Sequence, residues 1–145
     1  MEILNRKARH DYFIEEIYEA GIELTGTEIK SIRLGNANIR DCYAIVKNHE
    51  VFLLNMYVEA YKEGNIFNHD ELRTRKLLLH KKEIKKIENK LQSEPLTLIP
   101  LKLYFKNNKL KVELAICRGK KNYDKRETIK ERDINRKINK QLKNY

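Results

Sequence analysis

The segment 11–24, DYFIEEIYEAGIEL, alternates. Tyr12, Ile14, Tyr18, Ala20, Ile22 and Leu24 fall on one face, with Glu16 the exception, and Glu15, Glu19 and Glu23 on the other. A period of two predicts a half-buried strand. TGTEIKSIRLG follows, in which Thr25 and Glu28 have capping-box spacing, Ile29 and Ile32 share a side, and Gly35 can close the end. That pattern predicts a short helix. CYAIVKN and EVFLLNMYVEAY read as two strands joined by a turn near Asn48-His49, with Phe52, Leu54, Met56 and Val58 facing inward. EGNIFNHDELRTR is polar and predicts a long loop. In RKLLLHKKEIKKIENKLQSEP, Ile84, Ile87 and Leu91 keep helical spacing, Lys81, Lys82, Lys85, Lys86 and Lys90 form the wet side, and Pro95 stops the helix. A last hairpin, LTLIPLKLYFK and KLKVELAIC, turns at Asn107-Asn108 and points Leu110, Val112, Leu114 and Ile116 one way.

These elements amount to five or six strands, one short helix and one longer one. Antiparallel strands of this length, closed to avoid free edges, predict a mainly β fold with peripheral helices: a small barrel of OB type. Its 145 residues suit one domain. The body is expected over 1–121 and a basic C-terminal tail, disordered or helical, over 122–145. In the tail, Ile134, Ile138, Leu142 and Tyr145 make one thin stripe on a helix. So narrow a face gives little burial against about 1–2 kcal/mol of backbone entropy per ordered residue. The expectation is a tail that is frayed when free and helical on a polyanion; a plain surface helix is the alternative.

Charge sharpens this. The chain carries 31 Lys+Arg against 21 Asp+Glu, a net charge of +10. From Arg118 to Tyr145 there are 11 basic and 4 acidic residues, a net of +7, which leaves 20 against 17, or +3, for the rest. Such a balance favours polyanions through counterion release. Basic residues also gather at NRKARHDY, where Arg6, Lys7, Arg9 and His10 stand beside Tyr12, and at ELRTRK, with Arg73, Arg75 and Lys76. Basic residues interleaved with an aromatic suit phosphate contacts plus base stacking. A solvated strand start, and charges flanking a core strand, are the plain alternatives.

Catalytic and metal motifs do not stand out. The four histidines lack HxxxH and HExxH spacing, and no Gly-rich phosphate loop or GxSxG is present. No enzymatic activity, cofactor or metal is expected. Cys42 and Cys117 read as buried free thiols of a reducing compartment. No apolar run approaches the length of a membrane span, so a cytoplasmic protein without membrane contact is expected, acting as a monomer.

NRKARHDYFIEE, EAGIELTGTEIKSIRLGNANIRD, RTRKLLLHKKEI, IPLKLYFKNNKLKVELAICRGKKNYDKRE and TIKERD, in this order, closely resemble the SmpB, or SsrA-binding protein, family from about Asn5 to Arg132. The resemblance implies an OB-type barrel that binds the tRNA-like domain of transfer-messenger RNA (tmRNA). It implies delivery of that RNA with elongation factor Tu to stalled ribosomes for trans-translation. The tail would meet small-subunit rRNA near the decoding centre and the mRNA channel. By motif, it carries RNA binding to Asn5, Arg6, Lys7, Glu19, Leu78, Gly119, Lys120 and Lys121, and a ribosome-facing role to Asp124, Lys125 and Arg126. Lys130, Arg132, Arg136, Lys137, Lys140 and Lys143 extend the tail. After Arg132 the match keeps basic character without clear identity, and Ile134 or Asn135 stands where some members have a stacking ring. A generic OB-type module for single-stranded nucleic acid is the other reading.

Overall fold

The computed structural model describes residues 1–63, 68–121, 123–126, 129–133 and 136. Nine strands and three helices are assigned among them: β1 Glu2–Leu4, α1 Ala8–Asp11, β2 Tyr12–Ile22, α2 Gly26–Arg33, β3 Ala37–Asn38, β4 Tyr43–Lys47, β5 Glu50–Leu54, β6 Tyr57–Val58, β7 Arg75–Leu78, α3 Lys81–Ser93, β8 Thr97–Lys106 and β9 Lys109–Gly119. Residues 123–126 and 129–133 are also helical. The fold is mainly β and antiparallel. Pairings run β8-β4-β5-β7-β2-β9 and return to β8, so the main sheet forms a ring. Strand β1 adds to β8 from outside, and β3 pairs with β6 apart from the ring.

The turns follow from residue type. Asn48 and His49 close β4–β5 with φ of 53° and 61°, and Asn107 and Asn108 close β8–β9 with φ of 52° and 63°. Asn tolerates this left-handed region, whose twist matches a two-residue hairpin. Helix α2 opens with the predicted capping box. The Glu28 amide donates to Thr25 Oγ1 at 3.4 Å, and the Thr25 amide donates to Glu28 Oε1 at 2.9 Å. Gly35 follows at φ 79°. The opening of α3 carries a bond the sequence reading missed, from the His80 amide to Glu83 Oε1 at 3.1 Å.

Inside the ring, Leu110, Val112, Leu114 and Ile116 are buried as expected, with Leu98, Leu103, Ile32 and Ile87. A second, smaller cluster lies on the other face of β8 and β9, where Ala8, Ile99, Leu101, Ala115 and Cys117 pack together. Burial on both faces explains why LTLIPL and LAIC are continuous apolar runs. Both thiols are buried and free, and burial pushes Cys42 up to about 12 and Cys117 up to about 11.

One inward set was misassigned. Phe52 and Leu54 are half-buried, while Val51 and Leu53 are fully buried. The cause is Asn55, at φ 63°, which ends β5. The chain changes parity there, so Val51 and Leu53 before it and Met56 and Val58 after it all face the core.

The strongest tertiary tie runs through Glu28, which is wholly buried. Its Oε1 accepts from Arg73 Nη2 at 2.6 Å, and its Oε2 accepts from Arg75 Nε. Arg75, also wholly buried, donates from Nη1 to the carbonyls of Met56 at 2.7 Å and Arg73 at 2.9 Å. Burial acts to raise the Glu28 carboxyl. The hydrogen bonds from Arg73, the Thr25 amide and Arg75 outweigh it, and hold the carboxyl below its ordinary value of 4.5.

Glu28→Gln leaves a guanidinium buried without its counter-charge, and should cost about 3–5 kcal/mol. Thr25→Ala, which removes only the cap, should cost about 1 kcal/mol. Urea midpoints measure both. A carboxyl held low stabilises the fold above its ordinary value, and loses that contribution as pH falls through its folded value. The wild type should therefore lose stability below about pH 4.5, and Glu28→Gln should lack that share of the acid loss.

Candidate nucleic-acid interface

Basic side chains from both ends of the described chain meet because strand ends meet. Tyr12, which opens β2, pairs with Gly119, which closes β9. The segment NRKARH therefore lies beside RGKK. Asn5 anchors it. Its amide donates to the Leu101 carbonyl at 2.8 Å, and Nδ2 donates to the Pro100 carbonyl at 3.0 Å. These carbonyls sit where the β8–β9 register slips between Pro100 and Lys102, a bulge that accommodates a proline without a ladder donor. The Asn5 carbonyl then accepts from the Ala8 amide at 3.3 Å, turning the chain into α1. Asn5 is 7% exposed, and its Oδ1 finds no partner in the protein. It holds the turn from inside, and Arg6, Lys7 and Arg9 are left exposed.

Lys120 ties the other end to this turn. Its amide donates to the Asp11 carbonyl at 2.8 Å, and Nζ donates to the Arg9 carbonyl at 3.0 Å. Its ammonium also lies 4.9 Å from the ring centre of Phe13, an exposed aromatic not singled out from sequence. His10 Nδ1 and Asp11 Oδ1 are 2.9 Å apart, and Lys125 Nζ is 3.7 Å from the same oxygen. The hydrogen bond with His10 lowers the Asp11 carboxyl, burial opposes it, and the charge of Lys125 adds to the lowering. Gly119 and Lys121 are exposed at this corner, and the Lys121 amide donates to Asp124 Oδ2 at 3.1 Å.

A second region brings Glu19 and Leu78 together. Gly21 pairs with Leu78 across β2 and β7, and a Cβ at Gly21 would come within 3.2 Å of the Leu78 Cβ. The glycine lets the two strands carry an exposed leucine at close approach. Glu19, Leu78, His80, Phe105, Lys109 and Lys111 border a groove of about 600 Å³. Tyr104 Oη donates to Glu19 Oε2 at 2.5 Å, and Lys106 Nζ lies 3.5 Å from Oε1. The Tyr104 hydrogen bond comes first among the causes that lower the Glu19 carboxyl. Arg33 stacks on Phe105 at 4.5 Å. An apolar floor with aromatic and basic rims suits unstacked bases and a phosphate backbone. Tyr104, Phe105, Lys106, Lys109, Lys111 and Arg33 were missed. The outward alternation Lys102, Tyr104, Lys106 on β8 was the signal that pointed to them.

The Arg73, Arg75 and Lys76 trio does not form a surface. Arg75 is fully buried on Glu28, because it shares the inward parity of Leu77. Arg73 is spent on Glu28 and on the Glu23 carbonyl. Lys76 Nζ lies 3.5 Å from Glu50 Oε1. Arg75 therefore holds the fold and offers no atom to a ligand.

In the tail, Asp124, Lys125, Arg126, Lys130 and Arg132 lie on helical segments and Arg136 is helical too. Lys137, Lys140 and Lys143, like the stripe of Ile134, Ile138, Leu142 and Tyr145, lie outside the described residues. Among the described residues, no group of three or more His, Cys, Asp or Glu could hold a metal ion, and no helix is long and apolar enough to cross a membrane.

The sequence model of the family described as "SmpB protein" matches residues 2–144. The SsrA-binding protein of Caldicellulosiruptor bescii is 59% identical over 141 residues, covering 97% of this chain and 89% of its own. That of Ligilactobacillus salivarius is 60% identical over 141 residues, covering 97% and 91%. A solved structure described as "tmRNA-SmpB: a journey to the center of the bacterial ribosome" contains a chain 43% identical to this one. It superposes with a TM-score of 0.70 over 88% of this chain and 94% of that one.

Asn5→Ala should strip the Pro100 carbonyl of its donor and cost about 1–3 kcal/mol. Hydrogen exchange at the Ala8 amide should speed up, while amides of β5 stay protected. If Asn5 only touched a ligand, the free protein would show neither change.

Proposed function

The chain belongs to the SmpB family, and from that premise we propose that it is a non-enzymatic RNA-binding adaptor of trans-translation. It binds the tRNA-like domain of tmRNA and brings it to stalled ribosomes, where incomplete proteins are tagged. The observation that carries this reading is the family match over residues 2–144. The relatives' shared name, SsrA-binding protein, and the solved tmRNA–SmpB structure support it.

The ring of strands is taken as an OB-type barrel, with 1–121 as the RNA-binding body and 122–145 as the tail that enters the ribosome. Two faces of the body serve the RNA. The corner of Arg6, Lys7, Arg9, His10, Lys120 and Lys121 takes phosphates, held in place by Asn5 and Gly119. The groove of Glu19 and Leu78 takes exposed bases and ribose. Glu19 carries two jobs there: its carboxylate accepts from Tyr104 and steadies Lys106, and it is an acceptor for base amino groups or a ribose hydroxyl.

The tail residues Asp124, Lys125, Arg126, Lys130, Arg132, Arg136, Lys137, Lys140 and Lys143 meet small-subunit rRNA near the decoding centre and along the vacant mRNA channel. Elongation factor Tu joins the delivery complex. The protein acts as a monomer in the cytoplasm, without membrane contact and without a cofactor. Net charge supports the division of labour. Residues 118–145 carry 11 basic against 4 acidic residues, a field suited to ribosomal RNA at large. The nearly balanced body needs shaped, local contacts to select one RNA.

A chain ending at Lys121 should keep its preference for the tRNA-like RNA over an unstructured RNA of equal length, though more weakly bound, and should no longer support tagging on stalled ribosomes. Competition binding and an in vitro tagging assay read the two properties. Equal affinity for both RNAs would reduce the protein to a generic single-strand binder, and tagging by the truncated chain would remove the tail from the mechanism.

A further inference from the structure

Arg6 and Arg9 of the N-terminal corner and Arg132 and Arg136 of the tail border one cavity of about 570 Å³. The same cavity is bordered by Glu2, Lys102 and Glu113. Both carboxylates are already engaged by Lys102, whose Nζ lies 3.6 Å from Glu2 and 3.4 Å from Glu113. Among the described residues no ion pair reaches any of the four arginines, and none of them has a further interaction with the rest of the chain. Four guanidiniums therefore face one space without a counter-charge of their own. Like charges so placed repel unless an anion joins them.

Guanidinium groups present flat, forked donor sets that suit phosphate oxygens. The cavity is too large for one phosphate alone and open enough for a strand to pass. We infer that it is a clamp for consecutive phosphates of an RNA backbone, half built by the body and half by the start of the tail. The inference deepens the RNA-adaptor reading and rests on it. An RNA strand seated there would tie the tail to the body at Arg132 and Arg136, leaving only the later part of the tail to reach elsewhere. The entropy of ordering this stretch would then be offset by tmRNA binding, before the ribosome is met. Neither the groove at Glu19 nor the contacts of Lys120 make this link, because neither includes a residue beyond Lys125.

The test uses the full chain and the tRNA-like domain RNA, with binding followed by fluorescence anisotropy across a salt series. Three variants are needed: Arg132→Gln with Arg136→Gln, Arg6→Gln with Arg9→Gln, and all four together. All four side chains are exposed, so the variants should fold. A clamp predicts that each pair weakens binding several-fold and flattens the log K versus log salt slope by about 0.7–0.9 for each phosphate lost. It also predicts that the fourfold variant loses clearly less than the product of the two pairs, because either pair alone already opens the site. Losses that multiply would show two independent contacts, and overturn the clamp. A tail pair that binds like the wild type would overturn it too. If the wild type does not prefer the tRNA-like RNA over an unstructured one, it is the adaptor reading that fails. The coupling between pairs is then read on the unstructured RNA, since the clamp recognises phosphates.

Discussion

The fold depends on one buried ion pair that a helix cap supplies. Glu28 is the N3 residue of α2, where a carboxylate usually closes a capping box in water. Here the same carboxylate is wholly buried and also receives Arg75 from β7 and Arg73 from the approach to it. Desolvating two charges costs several kcal/mol per ion and is recovered only when nearly every donor and acceptor is engaged. That condition holds for the Arg75 guanidinium, which also donates to the carbonyls of Met56 and Arg73. The pair thus fixes α2, the end of β6 and the start of β7 with one set of bonds. Strand β7 needs this help: it is four residues long and joins β2 by only two register pairs, Gly21 with Leu78 and Ile22 with Leu77. Without Glu28 the ring would be weak where the Leu78 groove is built.

Much of this was legible where local chemistry and long-range packing agree. The capping box of Thr25 and Glu28, the Asn-rich hairpin turns and the inward set on β9 follow from residue type and period alone, and the structure has them. The failures share a cause. A strand's period predicts which residues share a face, but not which face is inside after a bulge or a left-handed residue. Asn55 shifted the parity of β5 against Met56 and Val58. The alternation of Arg73 and Arg75 was read correctly, and its inward direction was not, because only Glu28 makes burial of a guanidinium tolerable, and Glu28 lies 47 residues away in sequence. Strand β1 was invisible for a similar reason: three residues have no periodicity, and what places them is the edge of β8.

Candidate site residues divide in the same manner. Arg6, Lys7, Arg9 and Lys121 emerged on the surface because a basic residue that finds no buried partner stays in water. Asn5 was read as a contact and is a pin, a role that only the Pro100 bulge reveals. On the hairpin, Tyr104, Lys106, Lys109 and Lys111 escaped notice, since outward residues of a strand look like ordinary solubilising charge until the topology sets them beside Glu19 and Leu78.

The distribution of charge now has a structural reason. The longest basic segments begin and end the described chain, and the pairing of Tyr12 with Gly119 places their inner ends side by side. Within the body, acids offset the bases one by one: Glu15 and Glu16 face Lys90, Glu15 and Glu94 face Arg118, and Glu2 and Glu113 face Lys102. Exposed pairs of this kind contribute little stability, each about 0–1 kcal/mol, but they leave little field over the strands. The uncompensated cations are left at the corner where the chain leaves β9. Placing them there costs self-repulsion in the free protein, strongest within a Debye length of about 8–10 Å. A polyanion that fits the corner relieves that repulsion as it binds. The same charges that make the corner unfavourable alone therefore make it selective for a partner that brings several phosphates at once, and a single small anion gains much less.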